Sequence, residues 1–281
     1  MMETLIELLK VILPFDWLEP AFMRRAFLGL LLIAPACAAM GVQVVSFRMA
    51  FFSDAISHSA FTGVALGLIL GLDPRFSMIG FGVIVGCGVL VFARKAELST
   101  DTVIGVFFAA VVALGIVIIS ARKGLARYFE GILFGDILVI DTIELWIVFG
   151  LCVIILLFQW IAYNRLLLVA INSPLAHSKG IRTGLWEMIY GILLALLVMV
   201  SLKAVGLLLV TALLVVPAAT GRNLARTASG LFWWSVLVAV IASVSGLYLS
   251  FIWGSATGAT VILIAVTIFI FSFIYKLTAR R

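Results

Sequence analysis

The chain has 281 residues, of which 65% are apolar and only 11% charged, and its formal net charge is +6. Soluble domains carry roughly 45–50% apolar and about 25% charged residues, so this composition excludes a water-soluble globular protein and makes lipid the natural solvent. The basic excess is scattered at the ends of apolar runs, as in cytoplasmic loops of membrane proteins, and forms no continuous patch for nucleic acid.

At ~20 apolar residues per span, the chain holds about eight to ten spans and little else. The expected fold class is all-α, a polytopic transmembrane helical bundle forming one transmembrane domain over residues 1–281. The N-terminus carries Glu3, Glu7 and Asp16 and lacks the basic start and cleavage site of a signal peptide. Residues 1–20 therefore read as an interfacial segment, with a short amphipathic helix over 3–18.

Spans are predicted near 22–45, 50–71, 76–93, 102–121, 143–163, 184–202, 204–220, 229–252 and 256–275. Breaks such as Asp73-Pro74-Arg75 and Arg94-Lys95-Ala96-Glu97 separate them. A tenth candidate at 129–140 is short for a span and suits a re-entrant helix. If it spans and the N-terminus is inside, 15 of the 19 Lys and Arg lie inside. If it does not span and the N-terminus is outside, 11 do. The positive-inside rule favours the first arrangement, and shortness opposes it. Both place the polar loop at 164–182 and the basic C-terminus in the cytoplasm.

Cys37, Cys87 and Cys152 sit in apolar runs without metal-ligand spacing and read as packing residues. Gly63, Gly67 and Gly71 form a small-residue stripe, and Gly82 and Gly86 repeat the spacing, so close helix packing is expected, within the chain or between subunits.

The strongest chemical signal is Asp54 and His58 in Phe52-Ser53-Asp54-Ala55-Ile56-Ser57-His58. A carboxylate inside a bilayer is costly, about 2.5–3.5 kcal/mol on insertion scales, and marks a functional site by default. Four residues apart on a helix, the two side chains share one face. A carboxylate oxygen with an imidazole nitrogen is half of a site for zinc, and carboxylate also suits manganese or ferrous iron. The competing reading makes Asp54 a helix cap and gives His58 a carbonyl partner.

The other histidine, His177, falls in a turn and short helix over Asn172–Gly180. Asp101 reads as an N-cap, Lys203 as a side chain reaching the interface, and Pro217 as a break or kink. Asp136 lies in the short 129–140 segment. No G-x-x-x-x-G-K-[ST] phosphate loop and no H-E-x-x-H zinc motif is present, so neither ATP hydrolysis by that route nor zinc-protease chemistry is expected.

Ser53-Asp54-Ala55-Ile56-Ser57-His58-Ser59-Ala60, with Arg48-Met49 before it and Gly63-Val64-Ala65-Leu66-Gly67 after it, resembles the signature region of metal-ion ABC permeases. Leu133-Phe134-Gly135-Asp136 and Val205–Val210 leading to Val216-Pro217-Ala218-Ala219 extend the likeness along nearly the whole chain. The resemblance implies a homodimeric permease of the type II importer kind in the bacterial inner membrane, not itself an enzyme. It implies two cytoplasmic ATPase subunits and an extracytoplasmic metal-binding protein as partners. It also implies transported Zn2+, Mn2+ or Fe2+ held transiently by Asp54 and His58, with no permanent cofactor. In that family the loop corresponding to 170–181 docks the ATPase, so Pro174, Leu175, Ala176, His177, Ser178, Lys179 and Gly180 would form a coupling helix. The alternative is an ATP-independent metal channel or secondary carrier.

Overall fold

The computed structural model describes residues 16–96, 98–121, 138 and 140–279. Among these, nine helices are long and apolar enough to cross a membrane. They are α1 (Ala21–Ser46), α2 (Phe52–Leu70), α3 (Pro74–Lys95), α4 (Thr100–Ala121), α5 (Thr142–Ile171), α7 (Thr183–Val205), α8 (Leu207–Leu224), α9 (Ala228–Trp253) and α10 (Thr257–Ala279). A short α6 (Ser173–Ser178) follows α5, and a single 3-10 turn, Asp16–Leu18, precedes α1. No strand occurs among the described residues. In lipid every backbone group must be satisfied within the segment, which the helix achieves alone.

Local sequence sets the helix ends. Arg48 takes a left-handed φ of 58°, and the Met49 N–H donates to Val44 O, closing α1. Gly71, also left-handed, ends α2. Asp73 then caps α3 by accepting from the Arg75 N–H at 2.8 Å, with Pro74 at the first helical position. At α4 the cap is Ser99, whose Oγ accepts from the Thr102 N–H, and Asp101 lies one residue inside the helix rather than capping it. α8 runs through Pro217, so of the expected break or kink the helix shows no break. α5 continues to Ile171 instead of stopping near 163, because Asn164 and Arg165 interrupt the apolar run without interrupting the helix.

The chain divides into two compact units. One comprises the described residues of Gln43–Leu133 and Leu157–Leu202, and its heart is α2 packed on α3 and α4. Gly63 and Gly67 are spent there: a Cβ on Gly63 would lie 2.8 Å from Met78 Cα, and one on Gly67 2.7 Å from Ser77 Cβ. The glycine stripe is therefore used within the chain. The second unit comprises the described residues of Met1–Val42, Phe134–Leu156 and Lys203–Arg281. In it α8, α9 and α10 pack mutually.

Ion pairs fix which helix ends share a side. Arg94, at the end of α3, pairs with Glu187, near the start of α7, at 2.9 Å. The end of α3 therefore lies on the α6 side. α4 starts on that side and ends opposite. The expected short span at 129–140 and Asp136 fall outside the described residues, apart from 138 and 140, as does nearly all of the proposed N-terminal amphipathic helix. Lys203 pairs with Glu144, joining the end of α7 to the start of α5, so its ammonium has a protein partner rather than only the interface.

Candidate metal centre

Asp54 and His58 occupy the first two turns of α2. The N-cap is Phe51, which makes no side-chain cap bond, so Asp54 is not the helix cap. Asp54 instead lies inside the first turn, where the helix dipole favours a carboxylate. Both side chains are half-buried, whereas their neighbours Ala55, Ile56 and Ser57 are fully buried. The pair interacts electrostatically, as the shared face requires.

α4 shapes the imidazole's surroundings. The His58 ring stands edge-on to Phe108, with centroids 5.0 Å apart at 83°, and tilts against Phe61 at 5.9 Å. Aromatic neighbours on two sides limit the directions the ring can face. Beside it opens a cavity of about 190 Å³, walled by Phe61, Thr62, Val112, Gly115 and Ile116. Thr62, one turn beyond His58, donates its hydroxyl to Val111 O at 2.8 Å. That bond is possible because Gly115 has no side chain; a Cβ there would lie 2.6 Å from Thr62 Oγ1. The wall is therefore apolar, and His58 is the ring nitrogen source in it.

Chemically the pair offers one carboxylate and one imidazole. No group of three or more His, Cys, Asp or Glu side chains that could hold a metal ion occurs among the described residues. One oxygen and one nitrogen bind a divalent ion weakly and transiently unless other donors complete the shell.

The segment 172–181 folds as expected for a short helix. Asn172 caps it, its side-chain oxygen accepting from the Leu175 N–H at 3.0 Å, and Pro174 sits in the first turn. At the far end Gly180 takes φ 76°, and the Ile181 N–H donates to Ala176 O. Ser178 donates its hydroxyl to Leu175 O at 2.9 Å. Ala176 is buried and anchors the helix, while Leu175, His177 and Lys179 face outward. His177 is an exposed surface side chain and joins no ligand cluster among the described residues.

Sequence inspection missed several polar groups. Gln43 on α1 and Gln159 on α5 are fully buried and exchange two amide hydrogen bonds of 3.0 Å. Arg165 stacks on Trp186, its guanidinium carbon 4.8 Å from the ring centroid. Isolated glutamines within apolar runs were the available signal for the first pair.

The family model for the ABC 3 transport family matches residues 19–276. The chain belongs to this family. It is 34% identical to the high-affinity zinc uptake system membrane protein ZnuB of Haemophilus influenzae, over 92% of this chain and 97% of that protein. It is 31% identical to the manganese import system permease protein ScaB of Streptococcus gordonii, over 90% of each chain. Among solved structures, PsaBC from Streptococcus pneumoniae in complex with Fab superposes with a TM-score of 0.77 at 30% identity, covering 97% of this chain and 95% of the other. The family places the chain as a multi-pass membrane transport subunit, and the nine apolar helices accord with that.

Proposed function

We propose that this chain is the permease subunit of an ATP-driven importer of divalent transition-metal ions, zinc or manganese foremost and iron third, with Asp54 and His58 as its transient intramembrane ligands. The observation that carries the reading is the Asp54/His58 pair on one face of α2, in a family whose relatives bear the names of zinc and manganese permeases.

A second copy of the chain supplies the missing donors, so that two carboxylates and two imidazoles surround one ion. α6, with Pro174 to Gly180, meets a cytoplasmic ATPase subunit through its outward-facing residues. An extracytoplasmic binding protein delivers the ion. The carboxylate lowers the energy of the cation in the bilayer, and the apolar wall around His58 keeps water from competing for it. ATP binding by the partners then rocks the helices and opens the site inward.

The test is uptake of zinc, manganese and iron into sealed vesicles holding the chain with its own ATPase and binding protein, with and without ATP. ATP-dependent uptake of one ion is expected, falling to background in the Asp54→Ala/His58→Ala double variant. Uptake indifferent to ATP would instead make the chain a channel or secondary carrier. Unchanged uptake in the double variant would remove Asp54 and His58 from the pathway.

A further inference from the structure

Arg94 is held in a built position at the end of α3. Its Nε donates to Glu187 Oε2 at 3.1 Å, and Nη2 donates to the same oxygen at 2.9 Å. Nη2 also donates to the carbonyl oxygen of Gly184 at 2.5 Å. Gly184 is open for this purpose: a Cβ there would lie 2.8 Å from Arg94 Nη1. The guanidinium thus lies against bare backbone in the first turn of α7, with a carboxylate one turn on. A partly exposed ion pair contributes little to stability, yet three convergent bonds and a side-chain-free cradle define one geometry for this one.

Both ends of this clamp lead somewhere. On one side, α7 begins directly after α6: the Thr183 N–H donates to Ile181 O, and the Leu185 N–H to Arg182 O. Arg165 of α5 stacks on Trp186 in the same turn. A displacement of α6 therefore moves the start of α7. On the other side, α3 grips α2. Ser77 donates its hydroxyl to Gly63 O at 2.7 Å. Gly86 of α3 sits against Ile56 and Phe52, which flank Asp54 in sequence; a Cβ there would lie 3.5 and 3.6 Å from them. A packed helix moves as a rigid body, so a pull on Arg94 reaches α2.

We propose that Arg94 is a positioning residue that couples α6 to the helix bearing Asp54 and His58, by fastening the end of α3 to the start of α7 through Glu187 and the Gly184 carbonyl. The inference rests on the importer reading above.

The experiment reads ions transported per ATP hydrolysed, zinc and manganese each, in vesicles holding the chain with its ATPase and binding protein. Arg94→Ala is expected to keep ATP hydrolysis while the ratio falls about fivefold or more. Arg94→Lys, which keeps the charge and a donor but loses the fork, is intermediate. If Arg94→Ala does not accumulate in the membrane, Gly184→Ala takes its place, since it keeps both charges and crowds only the cradle. A wild-type ratio in the alanine variant under test, or an Arg94→Lys ratio no better than that of Arg94→Ala, overturns the coupling role and spares the importer reading. Wild-type vesicles without ATP-dependent uptake overturn both.

Discussion

The two three-helix clusters hold themselves together by different means. In α2–α3–α4, polar side chains reach across to backbone: Ser77 to Gly63 O and Thr62 to Val111 O, with glycines at 63, 67 and 115 admitting the close approach. In α8–α9–α10, much of the polar bonding pairs side chains with each other near helix ends. Asn223 donates to Ser272 at 3.2 Å and accepts from Lys276 at 3.1 Å, and Ser250 meets Thr257 at 3.1 Å. Backbone grips use no ionisable or amide group. The first cluster therefore packs tightly while Asp54 and His58 keep a face of α2 for another purpose. The second uses its amide and ammonium groups as pins and keeps no carboxylate or imidazole within its three helices.

The comparison breaks most sharply at its glycines. Gly63→Leu would drive a side chain into the α3 backbone at Met78, and Gly246→Leu would drive one into α10 at Val261. Overpacking of this kind costs typically about 1–3 kcal/mol, so both variants should unfold at clearly lower temperature in detergent. Only Gly63→Leu should also weaken zinc binding, measured calorimetrically on the purified chain. Equal weakening by Gly246→Leu would show that the two clusters do not divide the work. Gly80, which meets nothing within 4 Å, is the control, and Gly80→Ala should move neither quantity.

A smaller effect is expected at the pin. Asn223→Ala removes two side-chain bonds between α8 and α10, one of them from an ammonium. At roughly 0.5–1.5 kcal/mol for a neutral bond and more for a charged one, thermal stability should fall measurably. Ions transported per ATP should not change. A change in that ratio with stability intact would give the α8–α10 cluster a share in transport.

Much of this was legible in the sequence because lipid imposes one rule. Spans must be long, apolar and helical, so their places, though not their exact number, follow from composition and breaks, and Asp54 and His58 stand out as ionisable groups where such groups are costly. Tertiary choices were not legible. Spacing alone does not say whether Gly63 and Gly67 face a neighbour helix or a second subunit, and here they face α3. Nor does charge counting settle sidedness: 15 basic residues inside against 11 favoured an arrangement in which α3 ends opposite the 164–182 loop, whereas the Arg94–Glu187 pair ties the end of α3 to the α6 side. Asp101 looked like a cap because Ser99 and Asp101 are both good capping types, and only the helix start decides between them.

The smallest predicted effect compares two buried hydroxyls, one in each cluster. Ser57 on α2 and Ser243 on α9 are both fully buried, and neither hydroxyl oxygen has a hydrogen-bond partner among the described residues. A buried hydroxyl without a partner carries an uncompensated desolvation cost, so Ser57→Ala and Ser243→Ala should each raise the unfolding temperature, by an amount equivalent to about 1 kcal/mol. Ser57 precedes His58 by one residue and lies on the flank of the Asp54–His58 face, at ~100° per residue along the helix. Zinc affinity is therefore expected to survive Ser57→Ala, as it should survive Ser243→Ala. A gain in stability accompanied by lost zinc affinity in Ser57→Ala alone would make that hydroxyl a third donor, with its empty hydrogen-bonding capacity kept for the ion. The half-site on each chain would then carry three ligands instead of two.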